Sequence, residues 1–264
     1  MKKFLVIGNP IEHSLSPKLH NFWMKKNNIN AFYEKKKILD GDLKDLIKKV
    51  QMGEISGINV TVPFKKKVID YLDKLSPGSE VTQSVNTICL NEKNLVGYNT
   101  DIDGFELAIK DVNYDVSNKK ILILGAGGVV PSIIFALNKM KVSQISLSNR
   151  TKSKAENLKN LFKDLNIVDW GKLPDFDIII NATSVGLNKT DRIGIDFSSI
   201  GKGKFFYDVI YNPEETHFLK LGKEIGNKTE NGKMMFIYQA HSAFNIWHDV
   251  YPNVDDKVVE LLKP

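Results

Sequence analysis

Short apolar runs alternate with stretches of helical periodicity from one end of the chain to the other. Runs of strand length lie at 3–8, 31–38, 57–62, 86–90, 120–124, 144–148, 177–181 and 205–210. Apolar residues at three- and four-residue spacing predict helices over 17–27, 42–51, 65–74, 77–83, 103–110, 128–140, 152–164, 214–225, 234–249 and 255–262. This alternation implies an α/β protein with parallel sheets. One turn departs from that scheme. Asn91-Glu92-Lys93-Asn94 reads as a hairpin turn, which an all-parallel sheet does not need. A boundary is expected near Asp103, because polar Asn113–Asn118 leads into Lys119-Lys120-Ile121-Leu122-Ile123-Leu124-Gly125, the opening of a fresh βαβ unit. That unit ends near Gly232, and the last helices are expected to return to the first domain. The division is therefore 1–102 plus 237–264 for one domain and 103–236 for the other.

Composition narrows the class. A chain of 264 residues suits one large or two small domains, and its apolar content supports a real core. No apolar run reaches membrane-spanning length. The opening Met1-Lys2-Lys3-Phe4-Leu5-Val6-Ile7-Gly8 breaks too soon for a signal peptide and reads as a strand. Cys89 is the only cysteine, so no internal disulfide is available and a reducing cytoplasm is the expectation. The net charge of +6 comes from scattered lysines with no basic stripe interleaved with aromatics, which argues for a soluble surface and against a nucleic-acid-binding module. Of the 37 basic residues only Arg150 and Arg192 are arginine, so each invites a specific question.

Gly125-Ala126-Gly127-Gly128 follows an apolar strand and precedes a helical pattern carried by Ile133, Ile134, Leu137 and Met140. In that context glycines let the backbone turn tightly and approach a pyrophosphate at a helix N-terminus. An ordinary glycine-rich turn would look the same at this point. Val130 stands where the fingerprint wants Gly or Ala, and it is expected to crowd helix–strand packing and narrow the cofactor cleft. The next strand adds information. An NAD site places Asp or Glu about 20 residues past the glycines to hold the ribose 2′-hydroxyl. This chain has Ser148-Asn149-Arg150-Thr151 there, with Lys154 one turn later. A guanidinium, a hydroxyl and an ammonium suit a 2′-phosphate, which points to NADP.

The first domain carries a second polar constellation. Gly8-Asn9-Pro10-Ile11-Glu12-His13-Ser14-Leu15-Ser16-Pro17 follows the first strand, and Ser16 before Pro17 reads as an N-cap. Ser14 has no capping role, and hydroxyls beside a helix N-terminus suit a carboxylate. In Asn59-Val60-Thr61-Val62-Pro63-Phe64-Lys65, period-two alternation puts Asn59 and Thr61 on one face of an edge strand. Lys65-Lys66-Lys67 then opens a helix at its positive dipole end, which is unfavourable unless a lysine has chemistry to do. Val85-Asn86-Thr87 and Asn99-Thr100-Asp101 add Asn86 and Asp101, with Asp101 placed to cap the helix at 103. Lys65, Asp101 and Ser14 all fall just past strand ends, where open α/β sheets bind ligands.

Together these segments resemble the shikimate dehydrogenase family. Gly125-Ala126-Gly127-Gly128, Asn149-Arg150-Thr151, Asn181-Ala182-Thr183-Ser184-x-Gly186, Tyr207-Asp208-x-x-Tyr211 and Gln239 complete the set, in family order over nearly the full chain. The resemblance implies two α/β domains with the active site in the cleft between them. The first would be a mostly parallel substrate-binding domain and the second a Rossmann dinucleotide-binding domain. It implies reversible NADP-dependent reduction of 3-dehydroshikimate to shikimate. By motif match, Ser14, Ser16 and Tyr211 would hold the substrate carboxylate. Asn59, Thr61, Asn86 and Gln239 would bind ring hydroxyls, and Lys65 with Asp101 would form the catalytic pair. Gly125, Ala126, Gly127, Gly128, Asn149, Arg150, Thr151, Lys154, Thr183 and Gly232 would bind the cofactor. The chemistry needs no metal, and His13, His20, His217, His241 and His248 show no ligand spacing. Lys233-Met234 departs from the family, which commonly has a second glycine after Gly232. The expected partner is a small molecule, with no nucleic acid and no membrane, and the chain a monomer or homodimer. The rival readings are an NAD-using quinate/shikimate dehydrogenase and a non-catalytic NADP-binding sensor.

Overall fold

A computed structural model describes residues 1–263 of the chain. The chain divides into two compact units, Met1–Gly104 with the segment from Ile237 onward, and Phe105–Phe236. In chain order the first unit contains β1 (Lys2–Gly8), α1 (Ser16–Lys26), β2 (Ala31–Lys37), α2 (Leu43–Gln51), β3 (Gly57–Val60), β4 (Lys74–Leu75), α3 (Pro77–Thr82), β5 (Thr87–Asn91) and β6 (Asn94–Tyr98). α4 (Thr100–Asp111) carries the chain across the first boundary. The second unit holds β7 (Lys120–Leu124), α5 (Val130–Lys139), β8 (Gln144–Ser148), α6 (Lys152–Lys159), β9 (Asn166–Val168), β10 (Ile178–Asn181), β11 (Phe205–Asp208), α7 (His217–Glu224) and β12 (Lys228–Glu230). α8 (Lys233–His248) spans the second boundary, and α9 (Asp256–Leu261) follows it.

The first sheet has the order β2-β1-β3-β5-β6-β4. β1 runs parallel to β2 and β3, while β5 is antiparallel to both β3 and β6. The β5–β6 hairpin turns at the predicted site, and Asn91 faces Asn94 across it. β3 is a central strand with all four residues buried, which corrects the expectation of an edge strand. Its polar Asn59 is therefore enclosed and needs protein partners. α2 places Leu43, Leu46, Ile47 and Val50 at helical spacing against a core shared with Leu5, Ile7, Ile58 and Val60. Trp247 of α8 belongs to the same unit and donates its indole N–H to the Ile88 carbonyl at 3.1 Å.

The helix predicted over 65–74 is only a 3₁₀ turn, Lys67–Tyr71. Val68 alone is buried there, so no apolar face rewards a longer helix, and the chain extends at Leu72 to pair β4 with β6. The outer strands β9 and β12 escaped the sequence reading because each is only three residues long, and β12 is also polar throughout. The second sheet is entirely parallel, with the order β12-β11-β10-β7-β8-β9. Counted from β7, this is the 3-2-1-4-5-6 arrangement of dinucleotide-binding folds, with its switch point between β7 and β10. Among the described residues no helix is long and apolar enough to cross a membrane.

Candidate active site

Asp101 lies in the first turn of α4, which begins at Thr100 rather than after it. It is therefore not a cap. One carboxylate oxygen accepts a hydrogen bond from the Asn86 amide at 2.9 Å, and the other accepts from the Lys65 ammonium. The side chains of Lys65 and Asp101 retain 17% and 10% of their exposure, so the pair is largely enclosed yet reachable. Lys65 sits in the turn after β3, not on a helix, and the dipole conflict inferred for the three lysines does not arise. Lys67 pairs with Asp40 instead.

The orientation of Asn86 follows from its donors. Its side-chain oxygen accepts the Thr100 backbone N–H at 2.8 Å and the Thr100 and Thr87 hydroxyls, each at 3.1 Å. A backbone N–H meets only an oxygen, so the amide nitrogen faces Asp101. One N–H of Asn86 stays available to a ligand. Asn59 is more fully committed. Its amide nitrogen donates to the Asn86 carbonyl at 3.0 Å and to the Thr87 hydroxyl at 2.9 Å, while its oxygen accepts the Tyr33 hydroxyl at 2.6 Å. Asn59 can offer a ligand only its second oxygen lone pair, so it selects a hydroxyl that donates.

Ser16 is the first residue of α1 and does not cap it. Ser14 lies outside the helix, and its hydroxyl accepts the Ser16 N–H at 3.4 Å. Two hydroxyls thus stand at the positive end of a helix, an arrangement suited to an anion. Thr61 and Gln239 lie half-buried in the same unit. Tyr211 belongs to the second unit, where its ring stacks on Phe236 with centroids 4.8 Å apart. The sequence reading missed Tyr33, Thr87 and Thr100 as working parts. Thr87 and Thr100 stood inside quoted motifs, whereas Tyr33 gave no signal beyond its place in a strand.

In the second unit, the glycines divide into two kinds. Gly125 has φ +110, and a Cβ there would stand 2.7 Å from the Ala182 carbonyl oxygen, so the fold itself demands glycine. A Cβ on Gly127 would make only ordinary contact at 3.8 Å, and one on Gly128 would meet nothing within 4 Å. No neighbouring atom demands glycine at either position, and both lie ahead of α5 at the switch point of the sheet. Val130 is completely buried, so it packs into the core rather than narrowing the approach to these glycines. Gly232 also has a structural reason: a Cβ there would stand 2.1 Å from the Val209 carbonyl oxygen.

After β8, Arg150, Thr151 and Lys154 are exposed, and Asn149 donates to the Thr151 carbonyl at 2.8 Å. Arg150 and Lys154 make no side-chain hydrogen bond or ion pair among the described residues. Arg192, by contrast, holds the carbonyls of Lys189 and Asp191 at 3.0 and 2.8 Å and shapes its own turn. Only one of the two arginines is thus left for a ligand. Past β10, the Thr183 hydroxyl donates to Asn181 at 2.7 Å and accepts the Val185 N–H at 3.1 Å, which leaves it one lone pair. Asp208 ends β11 and accepts from the Asn181 amide, the Ile210 N–H and the Thr216 hydroxyl. Burial pushes its carboxyl up to about 6, against the pull of those donors. These bonds tie together the loops that follow β10 and β11.

The chain is similar to known proteins along its length. Residues 6–88 match the family profile described as shikimate dehydrogenase substrate binding domain, and residues 106–191 match that of shikimate / quinate 5-dehydrogenase. A shikimate dehydrogenase (NADP(+)) of Pelagibacter ubique is 56% identical over 99% of this chain and 98% of its own. The shikimate 5-dehydrogenase of Listeria monocytogenes, crystallised with shikimate and NAD, superimposes with a TM-score of 0.93 at 30% identity, covering 100% of this chain and 96% of that one. A shikimate dehydrogenase crystallised with NADP+ gives the same TM-score at 33% identity and the same coverage.

Proposed function

The chain belongs to the shikimate dehydrogenase family, and on that premise we propose that it reversibly reduces 3-dehydroshikimate to shikimate with NADPH, a step of aromatic amino-acid biosynthesis. The observation that carries this reading is the Lys65–Asp101 pair, held by an Asn86 whose orientation is unambiguous. When bound, NADPH supplies a hydride to the carbonyl carbon. The carbonyl oxygen then needs a proton, and the Lys65 ammonium donates it. Asp101 holds that ammonium in place, and Asn86 holds Asp101. The free N–H of Asn86 and the lone pair of Asn59 meet ring hydroxyls, with Thr61 and Gln239 completing that set. Ser14 and Ser16 receive the substrate carboxylate at the α1 N-terminus, and the family resemblance gives Tyr211 the same role.

The backbone of Gly125, Ala126, Gly127 and Gly128 would hold the cofactor's pyrophosphate. Arg150 would hold its 2′-phosphate, with Asn149, Thr151 and Lys154 around it. Thr183 and Gly232 shape the loops at the nicotinamide end. The chemistry of these donors fits NADP: cations are offered after β8 and no carboxylate is. A cytoplasmic enzyme, monomeric or homodimeric, completes the reading, and the lone buried thiol of Cys89 suits a reducing compartment. The test follows the loss of NADPH absorbance with 3-dehydroshikimate and then with 3-dehydroquinate. Turnover of the first and little of the second is expected. Preference for the second, or for NADH, would move the chain to the quinate-using, NAD-linked reading; the second matching family description names quinate beside shikimate. Tight NADP binding without turnover would make it a sensor.

A further inference from the structure

Thr87 opens β5, and the sheet register sets it opposite Asn59 of β3 in an antiparallel pair. It is completely buried, so its hydroxyl does not itself meet a ligand. That hydroxyl is nonetheless directed wholly at the site. Its oxygen accepts an Asn59 side-chain N–H at 2.9 Å. Its own hydrogen has two acceptors in reach, the Asn86 side-chain oxygen at 3.1 Å and the Thr100 hydroxyl at 3.3 Å. The Asn86 oxygen has two lone pairs, and the Thr100 backbone N–H takes one at 2.8 Å. Whichever hydroxyl takes the other, the Thr87 hydrogen ends on Asn86 or on the Thr100 hydroxyl beside it. One hydroxyl thus links Asn59 on β3 to the Asn86–Thr100 cluster that holds Asp101.

We propose that Thr87 is a positioning residue for the substrate, acting through Asn59 rather than by touching the substrate. This rests on the substrate reading above, in which Asn59 offers one oxygen lone pair to a ring hydroxyl. The direction of that lone pair depends on the plane of the amide, and what the two N–H groups meet sets the plane. One N–H is fixed on the Asn86 backbone carbonyl at 3.0 Å and the other on Thr87. Without the Thr87 hydroxyl, a buried N–H loses its acceptor and the amide tilts to relieve the loss. The Tyr33 hydroxyl holds the oxygen end of the same amide and leaves the freed N–H as it is. Asn86 fares differently. The Thr100 N–H and hydroxyl, at 2.8 and 3.1 Å, keep its orientation, and with it the hold on Asp101. Loss of the Thr87 hydroxyl therefore reaches substrate binding and spares the proton-donating pair.

The experiment is steady-state kinetics in both reaction directions, with thermal midpoints measured alongside. It compares proteins that differ by one hydroxyl: wild type against Thr87→Val, and Thr87→Ser against Thr87→Ala. In each pair the protein without the hydroxyl is expected to show a KM for shikimate about tenfold higher, the scale of one lost hydrogen bond. Both kcat and the KM for NADP should stay within about twofold. In an Asn59→Ala background, Thr87→Val should add nothing further to the shikimate KM, because the two residues act through one contact. A shikimate KM that fails to follow the hydroxyl in either pair would overturn the inference. So would an equal rise with and without Asn59. A joint worsening of kcat, both KM values and the thermal midpoint would also overturn it, since that marks a merely structural role. Where Thr87→Val does not fold, the serine and alanine pair decides by the same criteria. Failure of the substrate reading would show in the wild-type rate with shikimate. Failure of this inference would show only in the ratios within each pair.

Discussion

Replacing Lys65 with alanine probes the proposed catalytic pair in two independent ways. The Asp101 carboxylate would keep its bond from Asn86 but lose its cation while only 10% of its side chain reaches solvent. Removing one partner of a fully buried ion pair costs about 3–5 kcal/mol. Here the residual exposure and the surviving Asn86 bond lower that figure, and a loss of about 1–3 kcal/mol is expected. Asp101→Asn should cost less, because the amide oxygen still accepts from Asn86 and water can reach the Lys65 ammonium. The double variant Lys65→Ala/Asp101→Asn leaves no uncompensated carboxylate, so it should recover part of what Lys65→Ala loses. Activity should behave differently. Loss of a general acid lowers the rate by about 10²–10⁴, so kcat of Lys65→Ala should fall by that order while substrate KM moves little. Asp101→Asn should also lower kcat, and the two losses should combine far less than multiplicatively. Urea unfolding measures the first effect, and initial rates at saturating NADPH measure the second. Strictly additive stabilities together with multiplicative rates would show that the two residues do not act as a unit. His13 is the alternative acid, exposed beside Ser14. If His13→Ala abolished kcat while Lys65→Ala preserved it, the role would pass to the histidine.

Arg150→Ala should weaken NADP binding about tenfold to a hundredfold, as for a lost charge-assisted hydrogen bond, while NAD binding and the thermal midpoint barely move. Equal weakening of both cofactors in a binding titration would remove the guanidinium from the 2′-phosphate. Gly128→Ala should fold normally and lose cofactor affinity, whereas Gly125→Ala should lose stability because of its positive φ and the nearby Ala182 carbonyl; normal cofactor affinity in a folded Gly128→Ala would end the pyrophosphate assignment. The buried His20, with its pKa lowered from 6.5 to about 3 by burial and by His248, stays neutral in the fold. An unfolded histidine gains a proton below about pH 6.5, so stability should fall as pH drops through the window from 6.5 to 3, by up to about 4–5 kcal/mol. Urea midpoints should fall more steeply with decreasing pH across that window for wild type than for His20→Phe, and parallel curves would contradict the assignment.

The second unit was the more legible half of this protein. Strand-helix alternation reports burial along the chain, and it placed β7, α5 and β8 in the right order from apolar spacing alone. The chemistry after β8 was equally local: a missing acid, a scarce arginine and a nearby lysine sit within a few residues of one another. The paired lysine and aspartate stand in short motifs just past strand ends, which is why the sequence singles them out, although their pairing is a tertiary contact. Other features depend on which strands become neighbours, and no local pattern carries that. β3 reads as an edge strand until β1 and β5 close on either side of it, and only then does Asn59 need partners. Those partners are distant in sequence. Tyr33 precedes Asn59 by 26 residues, Asp101 follows Asn86 by 15, and Lys65 stands 36 residues before Asp101. Glycine shows the same division. The sequence marks Gly125, Gly127 and Gly128 as one loop, but only the packing of Ala182 against Gly125 separates a glycine the fold requires from glycines the fold does not require. Periodicity is set by each residue's own backbone and its burial, so the chain alone determines it. Hydrogen-bond direction and close approach are set by groups that meet only once the sheets have formed, so tertiary structure decides them.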